Sequence, residues 1–228
     1  MTKDFSERIL LSMTGRTSRE VVSKILSINK KQINTAALFF ESVKESDRDS
    51  IYLALEKSNI KKIPLIHIRG DVSKDEIKFF KDKYKTKYFT IHEDEAVKMK
   101  KWTGYHKDLY LEMNTDNFVS KKIDIDKLGG FCIDLSHFKV EEQKWSKEFL
   151  YILSKRKKSV FACNHINGYS YKKNCDLHVV KDLMSFNYLN TLPEFLFGKM
   201  IAIETYNSID SQIKFKNYLI KLLDKKFN

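Results

Sequence analysis

Residues 130–137 read GFCIDLSH. The opening follows the grammar of a buried strand: a glycine, then Phe131, Cys132 and Ile133 in an unbroken apolar run that suits burial on both faces. An aspartate ends the run and a histidine stands three positions later. The same grammar recurs in RILLSMTG (8–15), TAALFFESV (35–43), IPLIHIRG (63–70), KYFTIHE (87–93), LYLEMN (109–114), SVFACNHING (159–168) and MIAIETYN (200–207). Between these runs lie lysine- and glutamate-bearing segments of helical period: SREVVSKILSIN, DSIYLALEKSN, KDEIKFFKDKY, KWSKEFLYILSKR and, after the last run, SQIKFKNYLIKLLDKK. Residues 95–108 carry the weakest helical pattern, and the connection after residue 114 is expected to contain little helix.

Eight such alternations in 228 residues predict an α/β fold, a single compact (β/α)8 TIM barrel with short loops that spans residues 1–228 as one domain, at about 28 residues per unit. A doubly wound open sheet would want a glycine-rich phosphate turn after its first strand, and TGRTSRE offers one glycine. No stretch approaches the ~18 uninterrupted apolar residues of a membrane span, and MTKDFSERILLSMTGR lacks the apolar core and cleavage site of a signal peptide. A cytoplasmic protein without membrane contact is the expectation, with a monomer favoured. Cys132, Cys163 and Cys175 form no CxxC pair and are odd in number, which argues for reduced thiols over a disulfide framework or a thiolate zinc cluster. The net charge of +12 suits an anionic partner, although lysine-rich helix faces produce the same balance without one.

The ends of the runs carry the chemistry. The third ends in His67, the fourth in His92, the fifth in Glu112, the sixth in Asp134 and His137, the seventh in His165 and the eighth in Glu204; Asp176 and His178 follow in the loop after the seventh. In a barrel these C-terminal ends converge on one mouth. Imidazole nitrogen and carboxylate oxygen are the ligands that Zn, Mn and Fe take. A single histidine at a strand end is more often structural, but five of the six histidines share this placement and only His106 lies apart. Gathering several carboxylates in one buried mouth is costly without a compensating cation. The positions two residues before the ligands, Leu65, Thr90, Tyr110, Cys132, Cys163 and Ala202, are mostly small or apolar and read as the layer beneath. Arg69 shares strand parity with His67 and is a candidate phosphate-binding residue, with an ion pair to Asp71 as the alternative.

The ordered set His67, His92, Glu112, Asp134-x-x-His137, His165-x-Asn167, Asp176-x-His178 and Glu204 followed by TYN resembles the endonuclease IV group of the xylose isomerase-like TIM barrels, over residues 64 to 207. In that group a trinuclear zinc cluster at the barrel mouth cleaves the DNA phosphodiester 5′ to an abasic site. The resemblance implies one metal on His67, His92 and Glu112, and a second on Glu112, Asp134, His165 and Glu204. A third would lie on His137, Asp176 and His178. It further implies Glu112 and Glu204 as catalytic residues, Asn167 as a substrate-binding residue, zinc or else manganese or iron as cofactor, and DNA or a phosphorylated small molecule as partner. The first strand lacks the family's histidine, and IRGD, GYSYKKN and VVKDLMSFNYL replace its DNA-grasping loops. The other large branch of these barrels suggests a sugar or sugar-phosphate isomerase or epimerase, with one divalent metal on Glu112, Asp134, His165 and Glu204 and the two glutamates moving protons.

Overall fold

The computed structural model describes residues 4–113 and 123–227. Asn114, at the end of the LYLEMN run, and the connection that follows it lie outside the described residues. The main sheet is parallel. Its strands are β1 (Ile9–Leu10), β2 (Ser12–Met13), β3 (Ala37–Phe39), β4 (Leu65–His67), β5 (Tyr88–His92), β6 (Leu109–Glu112), β7 (Gly130–Asp134), β8 (Phe161–Ile166) and, after the small antiparallel pair β9 (Gly168–Ser170) and β10 (Cys175–Leu177), β11 (Met200–Ile203). Each of the eight apolar runs holds its part of this sheet. The helices are α1 (Ser18–Lys30), α2 (Asp49–Glu56), α3 (Lys74–Tyr84), α4 (Glu93–Ala96), α5 (Leu135–Lys144), α6 (Lys147–Lys155) and α7 (Ile209–Phe227).

The sheet has nine strands in the order β1-β11-β8-β7-β6-β5-β4-β3-β2 and nearly closes on itself. Its two edges are consecutive pieces of one segment, divided only at Leu11: Ile9–Leu10 pairs with β11, and Ser12–Met13 pairs with β3. Where the segment changes neighbours its backbone still needs partners. The Leu11 carbonyl accepts from Ala37 N at 2.8 Å, while Gln212 of α7 accepts from Ser12 N at 2.7 Å and donates to the Ser12 carbonyl at 3.2 Å. A long-range side chain thus stitches the seam.

Helix starts follow local chemistry. Thr17 caps α1 by accepting from Glu20 N, and α1 buries Val21, Lys24, Ile25 and Ile28 along one face. Ser73 and Glu76 form a reciprocal capping box at α3, which buries Ile77, Phe80 and Tyr84. Burial of each such apolar side chain contributes about 1.5–3 kcal/mol, so the apolar face outweighs the cap, worth about 1 kcal/mol. After the end of α4, Met99–Trp102 and His106–Asp108 form short 3₁₀ turns around Trp102, which is fully buried with its Nε1 donating to the Val72 carbonyl at 2.8 Å.

One helix departs from the sequence reading. The run 130–137 is not strand to its end: β7 stops at Asp134, and α5 begins at Leu135. Asp134 Oδ1 accepts from Ser136 N, Ser136 Oγ and His137 N at 2.8–2.9 Å, which makes the aspartate the N-cap of α5. DLSH is therefore a strand-to-helix hinge, and His137 rides in the first helical turn. Inside the sheet, Leu10, Ala37, Phe39, Leu65, Cys132, Cys163 and Ala202 pack as one cluster, with Tyr110 against it. This is the layer expected beneath the strand ends.

Candidate metal centre

Parallel strands place all their C-terminal ends on one side of the sheet, and register then decides which side chains meet. His67 stands opposite Thr90, His92 opposite Glu112, and Asp134 opposite His165. At the centre lies Glu112, only 1% exposed. Its Oε1 is 3.0 Å from His165 Nδ1 and its Oε2 is 3.0 Å from His67 Nδ1. His165 Nδ1 also lies 3.3 Å from Glu204 Oε2. Thr90 Oγ1 is shared from below, 3.2 Å from both His67 Nδ1 and His165 Nε2. The ring of Phe39 stacks on His67 with centroids 5.8 Å apart, which fixes the imidazole plane.

Two sets of side chains could each hold a metal ion, with all their ligand atoms within 4.8 Å of one another: His67, Glu112 and His165, and Glu112, Asp134 and Glu204. Glu112 belongs to both. Its Oε2, buried and close to His67 Nδ1, makes no hydrogen bond of acceptable geometry. A buried carboxylate oxygen without a donor is costly, and a cation coordinated by that oxygen removes the cost. Electrostatics agree. Burial raises Asp134, and the neighbouring Glu204, Glu112 and Asp176 push it further, to about 6. Burial would also raise Glu112, but His165 and His67 outweigh it and hold Glu112 well below the usual carboxylate range. Burial opposes charge on these two imidazoles, while Glu112 acts on both in the opposite direction and their pKa values rise. The donor set fits a divalent metal.

The remaining sequence candidates lie at the rim or in the wall. His92 is near but looser, its Nε2 3.9 Å from Glu112 Oε2 and its ring 4.6 Å from that of His67. His165, assigned by the resemblance to the Asp134 side, stands with His67 and Glu112 and touches Glu204 as well. Among the described residues His137, Asp176 and His178 do not form a ligand group. His178 Nε2 pairs with Asp176 Oδ2 at 3.0 Å, and His137, turned by α5, pairs through Nε2 with Glu148 Oε2 of α6 at 3.4 Å. Glu148 is fully buried, and sequence reasoning passed over it because it sits at an ordinary helical position. Asn167 is also fully buried, and its Nδ2 donates to Asp134 Oδ2 at 2.9 Å, so it orients a carboxylate. Arg69 donates to Asp71 Oδ2 at 3.2 Å and to the Glu41 carbonyl at 2.8 Å, the ion pair weighed against phosphate binding. His106 lies elsewhere, in a turn where its Nε2 is 2.9 Å from the Met99 carbonyl.

No helix among the described residues is long and apolar enough to cross a membrane. Comparison with known protein families finds none that matches the chain. Comparison with curated proteins finds no similar sequence.

Proposed function

We propose that the chain is a metal-dependent phosphodiesterase on an endonuclease IV-like (β/α)8 barrel, the two pieces of the Ile9–Met13 segment being read as one first strand. One observation carries the reading: Glu112 is shared by two ligand groups, as a carboxylate bridging two cations would be. Zinc suits the nitrogen and oxygen donors. His67 and His165 would hold one ion with Glu112, and Asp134 and Glu204 the other.

A cation pair supplies an acidified water and stabilises charge on the phosphoryl and leaving oxygens. The protein's own groups prepare that site. Thr90 and Phe39 fix the planes of His67 and His165. Asn167 and the first turn of α5 hold Asp134, which leaves its carboxylate a single orientation toward Glu204 and Glu112. Glu204, 5% exposed and beside His165, is placed to take a proton from water at the mouth.

Elemental analysis of the purified protein, with hydrolysis of abasic DNA and of bis(p-nitrophenyl) phosphate, tests this reading. About two ions per chain and diester cleavage support it. One ion per chain with turnover of a sugar phosphate would instead support the isomerase, for which Glu112, Asp134 and Glu204 already stand in one ligand group. His67, within 3.0 Å of Glu112, has no duty in that alternative.

A further inference from the structure

A phosphodiester substrate is anionic, and an arginine outside the metal shell can grip its phosphate oxygens bidentately beside the metals. Arg69 is committed to Asp71 and the Glu41 carbonyl. Arg48 is fully buried between Asp71 and Glu76. Arg16 differs. It follows β2 at the C-terminal side of the sheet and is exposed. Its guanidinium carbon lies 4.8 Å over the ring of Tyr206. Among the described residues no carboxylate forms an ion pair with that guanidinium; the nearby Glu20 accepts from the Arg16 backbone N at 2.7 Å.

Tyr206 ties this arginine to the centre. It follows Glu204 by two residues, its ring stacks on His178 with centroids 5.4 Å apart and planes 30° apart, and its backbone N donates to the His178 carbonyl at 2.7 Å. Even with one N–H turned toward the Tyr206 hydroxyl, a guanidinium laid on the ring has further edge N–H groups, and their fork matches two oxygens of a phosphate. Stacking also limits the rotamers that binding would otherwise have to freeze.

We propose that Arg16, braced on Tyr206, is the residue with which the mouth grips a phosphate group of its substrate, a positioning role that rests on the phosphodiesterase reading. The test uses the zinc-loaded full chain and inorganic phosphate as probe, followed by calorimetric titration. Arg16→Ala is expected to weaken phosphate binding at least about 10-fold, the scale of one charge-assisted hydrogen bond, with zinc content unchanged. Arg16→Gln, which keeps the stem and serves if the alanine variant misfolds, is expected to show the same loss. On a hydrolysed diester the change should appear in KM and not in kcat. Equal phosphate affinity in wild type and variants, or no phosphate binding by the wild type, overturns the inference. Phosphate binding that depends on Arg16 in a protein that cleaves no diester sustains it and instead removes the phosphodiesterase reading.

Discussion

Replacing Glu112 by glutamine keeps the volume of the side chain and removes the charge on which the centre depends. The carboxylate is within 3.0 Å of both His67 Nδ1 and His165 Nδ1 while almost fully buried. The one hydrogen bond to the charged group, from His165 Nδ1, is worth about 1.5–3 kcal/mol, and breaking a buried ion pair costs about 3–5 kcal/mol, so the expected loss is about 3–5 kcal/mol. For a chain of this size each kcal/mol moves Tm by about 2–4 °C, so chelator-treated Glu112→Gln should melt roughly 10 °C below chelator-treated wild type. Zinc should then widen the gap, because ligand binding raises Tm only where the site survives. Calorimetric melting with and without zinc, together with elemental analysis, reads both effects. The variant should retain at most one ion per chain and lose diester cleavage by about 10²–10³-fold. A variant with the wild-type Tm and the full metal complement would refute the bridging role of Glu112.

Other predictions address the frame around the centre. His178→Ala removes the partner of Asp176 and not a member of either ligand group, so elemental analysis should still find about two ions per chain; loss of one ion would assign the residue to a third site. Arg48 is fully buried between Asp71 and Glu76, and Arg48→Met should cost about 3–5 kcal/mol in urea unfolding at pH 7. Burial would raise Asp71 and Glu76, but Arg48 helps to hold both below their ordinary values, assisted at Glu76 by Tyr52 and the Ser73 backbone. Their stabilisation is therefore complete above the usual carboxylate range of about 4 and is lost as pH falls below it through the depressed native values. The difference between Arg48→Met and wild type should shrink below about pH 4, and a constant difference would contradict the ion-pair account. Gly130 has φ of 136°, and a Cβ there would stand 2.3 Å from the Val160 carbonyl oxygen. Gly130→Ala should lower the unfolding free energy, read from urea titration, by about 1–3 kcal/mol from the backbone alone and by more from the clash, and a wild-type midpoint would show that β7 can shift at no cost.

The order of elements was legible in the sequence because it depends on neighbours along the chain. Apolar runs such as YFTIH and helical spacing such as that of Ile77, Phe80 and Tyr84 are local patterns, and the structure keeps them. That His67, Glu112, His165, Asp134 and Glu204 share one end of a parallel sheet also followed, since parallel strands leave their C-terminal ends on one side. Which atoms meet did not follow. Register brought His165 to Glu112, and the Asp134 cap turned His137 into a helix and toward Glu148, eleven positions on, because three hydrogen bonds at the aspartate outweighed continuation of the strand. Arg16 and Tyr206 lie almost the length of the chain apart, and no local period records their contact. Periodicity fixes which face a residue presents to its own element. Only closure of the sheet, with its long-range register and its seam at Ser12 and Gln212, fixes what that face finds opposite it.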